Sequence, residues 1–172
     1  MKARVPKSAL PLQVAAVCYR RQNQTPEFLL VRTNGGVKWT FPKGDVETSI
    51  SHAQAAEREA KEEAGVRGRI EPRHFHLYLH SKGVFWKAPG VQEYLVKAFL
   101  LEVETVGRPD EAGRNPTWFS PEDAKKALAK GREVKYAREL QTVVDRALEQ
   151  LTTPALAAAR SKPLNPSKSF SA

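Results

Sequence analysis

Residues 44–66 read GDVETSISHAQAAEREAKEEAGV, and this stretch decides the fold. From Ser51 to Ala64 nearly every residue is a good helix former, with His52 the exception. Ser49 or Ser51 supplies a cap at the start, and Gly65 sits where a helix ends in a left-handed residue. Ala53, Ala56, Ala60 and Ala64 recur at three- and four-residue spacing, so one face of the helix is small and can pack closely. Glu59, Glu62 and Glu63 stand at i, i+3 and i+4, which in an α-helix places them on one face with Cβ atoms roughly 5–6 Å apart. Like charges so placed repel, and a hard divalent cation, which takes carboxylate oxygens, reverses the sign of that effect. Taken alone, the three glutamates fit a cation site and a solvated helix face, balanced by Arg58 and Lys61, equally well.

Outward from the helix the chain alternates extended and turn-forming segments. Gln13–Tyr19 and Glu27–Arg32 are rich in β-formers, with a polar, turn-like stretch from Arg20 to Pro26 between them. Thr33–Gly36 is a turn signal, and Trp39–Phe41 resumes extended structure until Pro42. Beyond the helix, Arg69–His80, Val84–Lys87 and Glu93–Val103 are expected strands, Thr105–Asn115 a loop and Thr117–Phe119 a short final strand. Ser120-Pro-Glu-Asp123 opens a second helix with a serine cap, proline at the first position and two acids in the first turn, and Gly131 ends it. Residues 133–151 carry Ala137, Leu140, Val144, Ala147 and Leu151 on one stripe of a third helix.

The segment 44–66 resembles the Nudix box, Gly-x5-Glu-x7-Arg-Glu-U-x-Glu-Glu-x-Gly-U with U a bulky apolar residue. Gly44, Arg58, Glu59, Glu62, Glu63, Gly65 and Val66 match at the required spacing, and Trp39–Gly44 looks like the lead-in common in that family. Two positions depart from it: Ile50 replaces the first glutamate, and Ala60 stands where a larger aliphatic residue is usual. In the family that glutamate mainly supports the arginine and the loop, so Arg58 must find another partner here, such as Glu47 or Glu62.

The resemblance implies an α/β/α sandwich over Leu12–Leu151, with a mixed central sheet, the catalytic helix on one side and the C-terminal helices on the other. It implies a hydrolase that cuts a pyrophosphate bond with Mg²⁺, Mn²⁺ being the alternative. Glu59 becomes the general base or principal metal ligand, Glu62 and Glu63 further ligands, the backbone carbonyl of Lys43 another, and Arg58 the residue that orients the glutamates. Members of the family add an acid from outside the box, and Glu93 is the candidate, with an ordinary strand terminus as its equal alternative. Lys43, Lys38 and Arg32 are the candidate substrate-binding residues, with Lys82 and Lys87 also open to phosphates. His74 and His76 are expected to share a strand face in structural or surface roles, and Trp39 and Trp118 to belong to the core. The lead-in Phe41–Glu47 and the segment Trp118–Ala124 look like the enzymes that act on diadenosine polyphosphates and diphosphoinositol polyphosphates. The competing reading, favoured by Ile50, is a Nudix domain that binds nucleotide or RNA without cutting.

The totals fit this picture. The 172 residues, 41% hydrophobic and 27% charged, suit one soluble domain. No stretch reaches the roughly 18 unbroken apolar residues of a membrane span. A net charge of +9 favours an anionic partner. A small-molecule polyphosphate is expected rather than nucleic acid, since neither an RNP-type aromatic run nor a basic helix face is present. Met1–Val17 is interrupted by Pro11 and Gln13 and reads as a strand rather than a leader peptide. The single cysteine, Cys18, fits a small buried strand residue in a reducing cytoplasm. Residues 1–11 and 152–172 are expected to be loose tails flanking the domain.

Overall fold

A computed structural model of the chain describes residues 10–83 and 90–152. The expected strand at Val84–Lys87, all but two residues of the N-terminal tail and all but the first of the C-terminal tail lie outside the described residues.

The fold is organised around β1 (Leu12–Gln22), in which every residue from Gln13 to Tyr19 is buried. Such a run has no solvent face, so both sides of the strand must be covered. Its hairpin partner is β2 (Thr25–Arg32), and its parallel partner is the long strand β7 (Val91–Val106), with Leu12 to Tyr19 in register with Leu95 to Glu102. The strands β3 (Trp39–Thr40), β4 (Lys43–Asp45), β5 (Val66–Ile70), β6 (His76–Gly83) and β8 (Thr117–Phe119) complete a mixed sheet. On one face Ala15, Val17 and Tyr19 pack with Leu128, Leu140 and Val144 of the helices α2 (Pro121–Ala129) and α3 (Val134–Thr152). On the other, Val14, Ala16 and Cys18 pack with Ala53, Ala56, Ala60 and Ala64 of the helix that starts as α1 (His52–Glu59). This is the expected α/β/α sandwich with a mixed sheet. Cys18 is buried and free, and burial pushes its thiol far above the ordinary range. No helix among the described residues is long and apolar enough to cross a membrane.

Three local expectations need correction. The turn expected over Arg20–Pro26 is confined to two residues: β1 and β2 run on to Asn23 and Gln24, with φ of 49° and 69°, the backbone of a tight hairpin. The single strand expected over Arg69–His80 is two, β5 and β6, because β7 pairs with each in turn along the same edge. His74 therefore precedes β6 and does not share a strand face with His76.

The third concerns the glutamate helix. Ser51 caps it with a reciprocal box, its hydroxyl accepting from Gln54 N while Gln54 Oε1 accepts from Ser51 N. It is α-helical only to Glu59 and continues as a π-helical turn over Ala60–Ala64. The loop after β7 supplies the reason. Glu111 N donates to the Glu62 carbonyl at 3.0 Å and Gly107 N to the Gly65 carbonyl at 2.7 Å, drawing the end of the helix out of its regular ladder. Gly65 adopts φ 70°, and a Cβ there would stand 2.5 Å from the Gly107 carbonyl oxygen. Replacing Gly65 by alanine should cost about 1–2 kcal/mol for the left-handed backbone before any clash, and so lower Tm by at least about 3 °C. A melt of the variant that superimposes on the wild type would show that the loop contact is not tight.

Candidate functional site

Arg58 has the partner that the substituted box denies it. Its Nη1 donates to Glu47 Oε2 at 2.9 Å, Nη2 pairs with Glu47 Oε1, and Nε stands 3.6 Å from Glu62 Oε1. The hydrogen bond from Arg58 holds the Glu47 carboxyl below its usual range. Ile50 is half-buried and packs against the apolar layer beneath α1. The missing carboxylate is thus supplied three residues earlier, and its usual position has joined the core.

Glu59 reaches across to β4, against Gly44. A Cβ on Gly44 would meet Glu59 Oε1 at 2.2 Å, so only glycine permits this approach. Glu63 is buried; its Oε2 accepts from Lys43 N at 3.3 Å, and Oε1 faces Arg114 Nη2 at 3.4 Å. Both carboxyls are pushed up to about 7. For Glu59 the causes are burial and then the charges of Glu63 and Glu62; for Glu63 burial outweighs Arg114 and the Lys43 amide. Glu62 is turned toward Arg58 and is half-exposed. Among the described residues no three acidic, histidine or cysteine side chains yet converge on one point. Glu93 is held elsewhere: its Oε2 accepts from Tyr136 Oη at 2.8 Å and pairs with Lys135 at 3.2 Å, both on α3.

Glu63 stands in the wall of a cleft of about 670 Å³ that also takes in Lys38, Lys43, Lys82, Arg114 and Arg132. Burial lowers the Lys43 pKa, with Lys82, Arg114 and Arg132 adding to the effect and Glu63 opposing it. His80, buried in the same wall, is kept uncharged near neutral pH by burial and by Lys43, Arg132, Lys38 and Lys82. The cleft brings together Lys38, Lys43 and Lys82, three of the candidate phosphate contacts, and adds Arg132, Arg114 and His80, which the sequence alone does not single out. Arg132 follows the left-handed Gly131 and caps α2 by donating Nη1 to the Leu128 carbonyl at 2.7 Å, so an arginine just past a helix-ending glycine was the available signal. Arg32 lies over the Trp39 ring, 3.9 Å from its centroid, rather than in the cleft wall. Trp39 packs edge-on to Phe119 and Trp118 lies under Arg20, so both tryptophans flank the core. Lys87 lies outside the described residues.

Comparison with known proteins gives the family. A family model described as the NUDIX domain matches residues 10–140. The chain is 32% identical to Nudix hydrolase 4 of Arabidopsis thaliana over 104 residues, covering 60% of this chain and 48% of that protein. It is 28% identical to diphosphoinositol polyphosphate phosphohydrolase 2 of Rattus norvegicus over 120 residues, covering 67% and 62%. The chain therefore spans about half the length of the curated relatives it matches. A solved C. elegans Ap4A hydrolase superimposes with a TM-score of 0.59 at 23% identity, covering 83% of this chain and 98% of that one, a likeness of fold. With the box on the helix that the sheet requires, and a family model spanning most of the chain, the protein belongs to the Nudix family.

Proposed function

We propose that the protein is a metal-dependent pyrophosphohydrolase. The observation that carries this reading is the meeting of two carboxylates, half-buried Glu59 and buried Glu63, with a cationic cleft at the same short strand, β4.

The residues fit a hard divalent cation. Burying two carboxylates side by side is unfavourable, and their raised pKa values express that. The hollow that Glu59 fills against Gly44 brings its oxygens next to the backbone at Lys43. Glu59 and Glu63 would hold the ion with the Lys43 carbonyl, and Glu62 would join them by turning from Arg58; Glu93, the candidate from outside the helix, would have to leave Tyr136 and Lys135 to reach them. Mg²⁺ is the proposed ion, with Mn²⁺ as the alternative. Bound there, it would neutralise charge on the phosphates and lower the pKa of attached water.

The chain's own groups do the rest. Glu59 is the candidate to take a proton from the attacking water, the part of principal metal ligand being its alternative. Lys38, Lys43, Lys82 and Arg132 face the space where a polyphosphate would lie and offset its charge. Arg58, fastened to Glu47, keeps the helix turn that carries Glu59 and Glu62 in register. We infer a diadenosine polyphosphate or a diphosphoinositol polyphosphate as substrate. Similarity to the rat phosphohydrolase and to the nematode hydrolase fold supports that class, as does the cationic cleft. A cytoplasmic place of action suits the reduced, buried Cys18.

The test is a panel of polyphosphates incubated with Mg²⁺ or with EDTA, the products separated by anion exchange. Glu59→Gln and Glu63→Gln should each lower metal-dependent cleavage by about 10²-fold or more. Binding of panel members with no cleavage would turn the reading to a Nudix domain that holds its ligand intact.

The raised carboxyls also set a pH dependence. Between about pH 4.5 and 7 the folded state binds more protons at Glu59 and Glu63 than the unfolded chain does, so these groups lower stability as pH rises through that window. A cation competes with those protons. The rise in Tm on adding Mg²⁺ should therefore be larger at pH 8 than at pH 5.5; equal shifts would place the ion elsewhere.

The relocated ion pair yields a third expectation. Glu47→Gln should reduce kcat by about ten- to a hundredfold through misplaced glutamates. Restoring the box with Ile50→Glu in the same chain should recover much of that loss. A double variant as poor as the single one would show that Glu47 does not stand in for the missing glutamate.

A further inference from the structure

The chain has four asparagines, and one of them, Asn34, stands before a glycine. Asn115 and Asn165 stand before prolines, whose nitrogen has no hydrogen to give up, and Asn23 stands before the bulkier Gln24. The difference is chemical. An asparagine side chain is open to attack at Cγ by the backbone nitrogen of the next residue. A glycine there has no Cβ to obstruct the ring and the widest range of φ in which to close it.

The fold puts this pair where the reaction is unobstructed. Thr33–Lys38 forms a loop between β2 and β3, closed by Thr33 N donating to the Lys38 carbonyl at 2.8 Å and Lys38 N to Thr33 Oγ1 at 3.2 Å. Within it Gly36 N donates to the Thr33 carbonyl at 2.7 Å, so Asn34 and Gly35 are the two central residues of a tight turn. Gly35 takes φ 95°, and a Cβ built on it would meet no atom within 4 Å. Asn34 and Gly35 are both exposed, and the Gly35 amide donates to no other described residue. Asn34 also lines the cleft, with Lys38, Lys43 and Lys82. Their positive charge favours the deprotonated amide nitrogen, which is the attacking form.

We propose that Asn34 is a modification site through which the protein alters its own cleft, by spontaneous deamidation. Gly35 N attacks Asn34 Cγ, the new C–N bond closes a cyclic imide, and the side-chain nitrogen leaves as ammonia with the proton of the Gly35 amide. Water then opens the ring. Breaking the bond to Cγ leaves aspartate; breaking the bond to the main-chain carbonyl carbon leaves isoaspartate, with the backbone running through Cβ. The net change is one water taken up and one ammonia released. Either product sets a carboxylate beside the lysines where a neutral amide stood, and isoaspartate also lengthens the turn that Gly36 closes. The consequence for ligands rests on the reading of the cleft as the polyphosphate site: a charge of the ligand's own sign weakens binding as the protein ages. The covalent change does not rest on that reading.

The experiment holds the folded chain at pH 8 and 37 °C for weeks, digests samples with trypsin and follows the peptide Thr33–Lys38 by mass spectrometry. Isoaspartate is counted by methyl transfer from a protein isoaspartate methyltransferase. The mass change of an amide turned to an acid should accumulate in that peptide, while the peptides holding Asn23, Asn115 and Asn165 stay unchanged. Asn34→Gln, whose longer side chain closes the ring far less readily, should stay unconverted. Binding of inorganic tripolyphosphate is measured in parallel by calorimetry in EDTA, so that no bond is cut. Aged wild type and fresh Asn34→Asp should each bind about two- to fivefold more weakly than fresh wild type, the scale of one exposed charge, and aged Asn34→Gln should not. Conversion no faster at Asn34 than at the other asparagines overturns the proposal. So does tripolyphosphate binding that is the same in fresh wild type, aged wild type and Asn34→Asp, because the carboxylate would then leave the cleft unaltered. Should fresh wild type bind no tripolyphosphate at all, the polyphosphate reading of the cleft falls, and the mass measurement alone decides the covalent step.

Discussion

The burial of β1 on both faces is the constraint on which the molecule depends. With Gln13 to Tyr19 all buried, the strand needs a layer on each side and a hydrogen-bonding neighbour at each edge. The two layers are of different character. On the face of α2 and α3 the contacts are large, with Tyr19, Phe28, Tyr78, Leu128 and Leu140, and they give the bulk of the apolar burial. On the face of α1 they are alanines, which bury less area but allow the helix to lie close to the sheet. Close approach is what the glutamates need, because a larger residue at Ala56 or Ala60 would lift Glu59 away from Gly44. Ala60, a departure from the family pattern, is fully buried at this contact.

The electrostatics follow from that approach. Packing the helix against β4 takes Glu59 and Glu63 partly out of water, and the low-dielectric surroundings penalise their charges. Among the described residues the answers are partial: the Lys43 amide and Arg114, which is divided between Glu63 and Glu111, for Glu63, and Arg58 for Glu59. Across the cleft, burial first and the neighbouring cations second lower the Lys43 pKa and keep His80 uncharged. Each half of the site is thus short of the charge a ligand would bring, cations on one side and phosphates on the other. That imbalance, set up by folding, favours binding the two together.

Much of this was legible in the sequence, and the parts that were not share a cause. The glutamate helix, its Ser51 cap, the closing Gly65 and the stripe on α3 depend on neighbours within a few residues, and local pattern carries them. The partner of Arg58 could be narrowed to Glu47 or Glu62 because both stand within reach along the chain, and the structure engages both. The π-helical turn could not be read, because its origin is the loop at Gly107–Glu111, more than forty residues away. The same holds for the division of residues 69–80 into two strands, which depends on the length of β7. Arg132, Arg114 and His80 converge on the cleft from three separate elements, and no spacing in a linear sequence marks such a meeting.

The three residues of β4 show how closely the parts are tied. Lys43 gives its amide to Glu63, Gly44 makes room for Glu59, and Asp45 fixes Gln13 in the floor of the cleft. Successive residues of a strand face opposite ways, so one short strand can serve the glutamate helix on one side and the cleft on the other. Its register against β1, with Asp45, Gly44 and Lys43 opposite Gln13, Val14 and Ala15, fixes all three contacts at once. A slip of one residue would put a side chain where Gly44 must be bare and would part Gln13 from Asp45. The position of the carboxylates and the lining of the cleft are therefore not independent features of this fold: both hang on the same three register pairs.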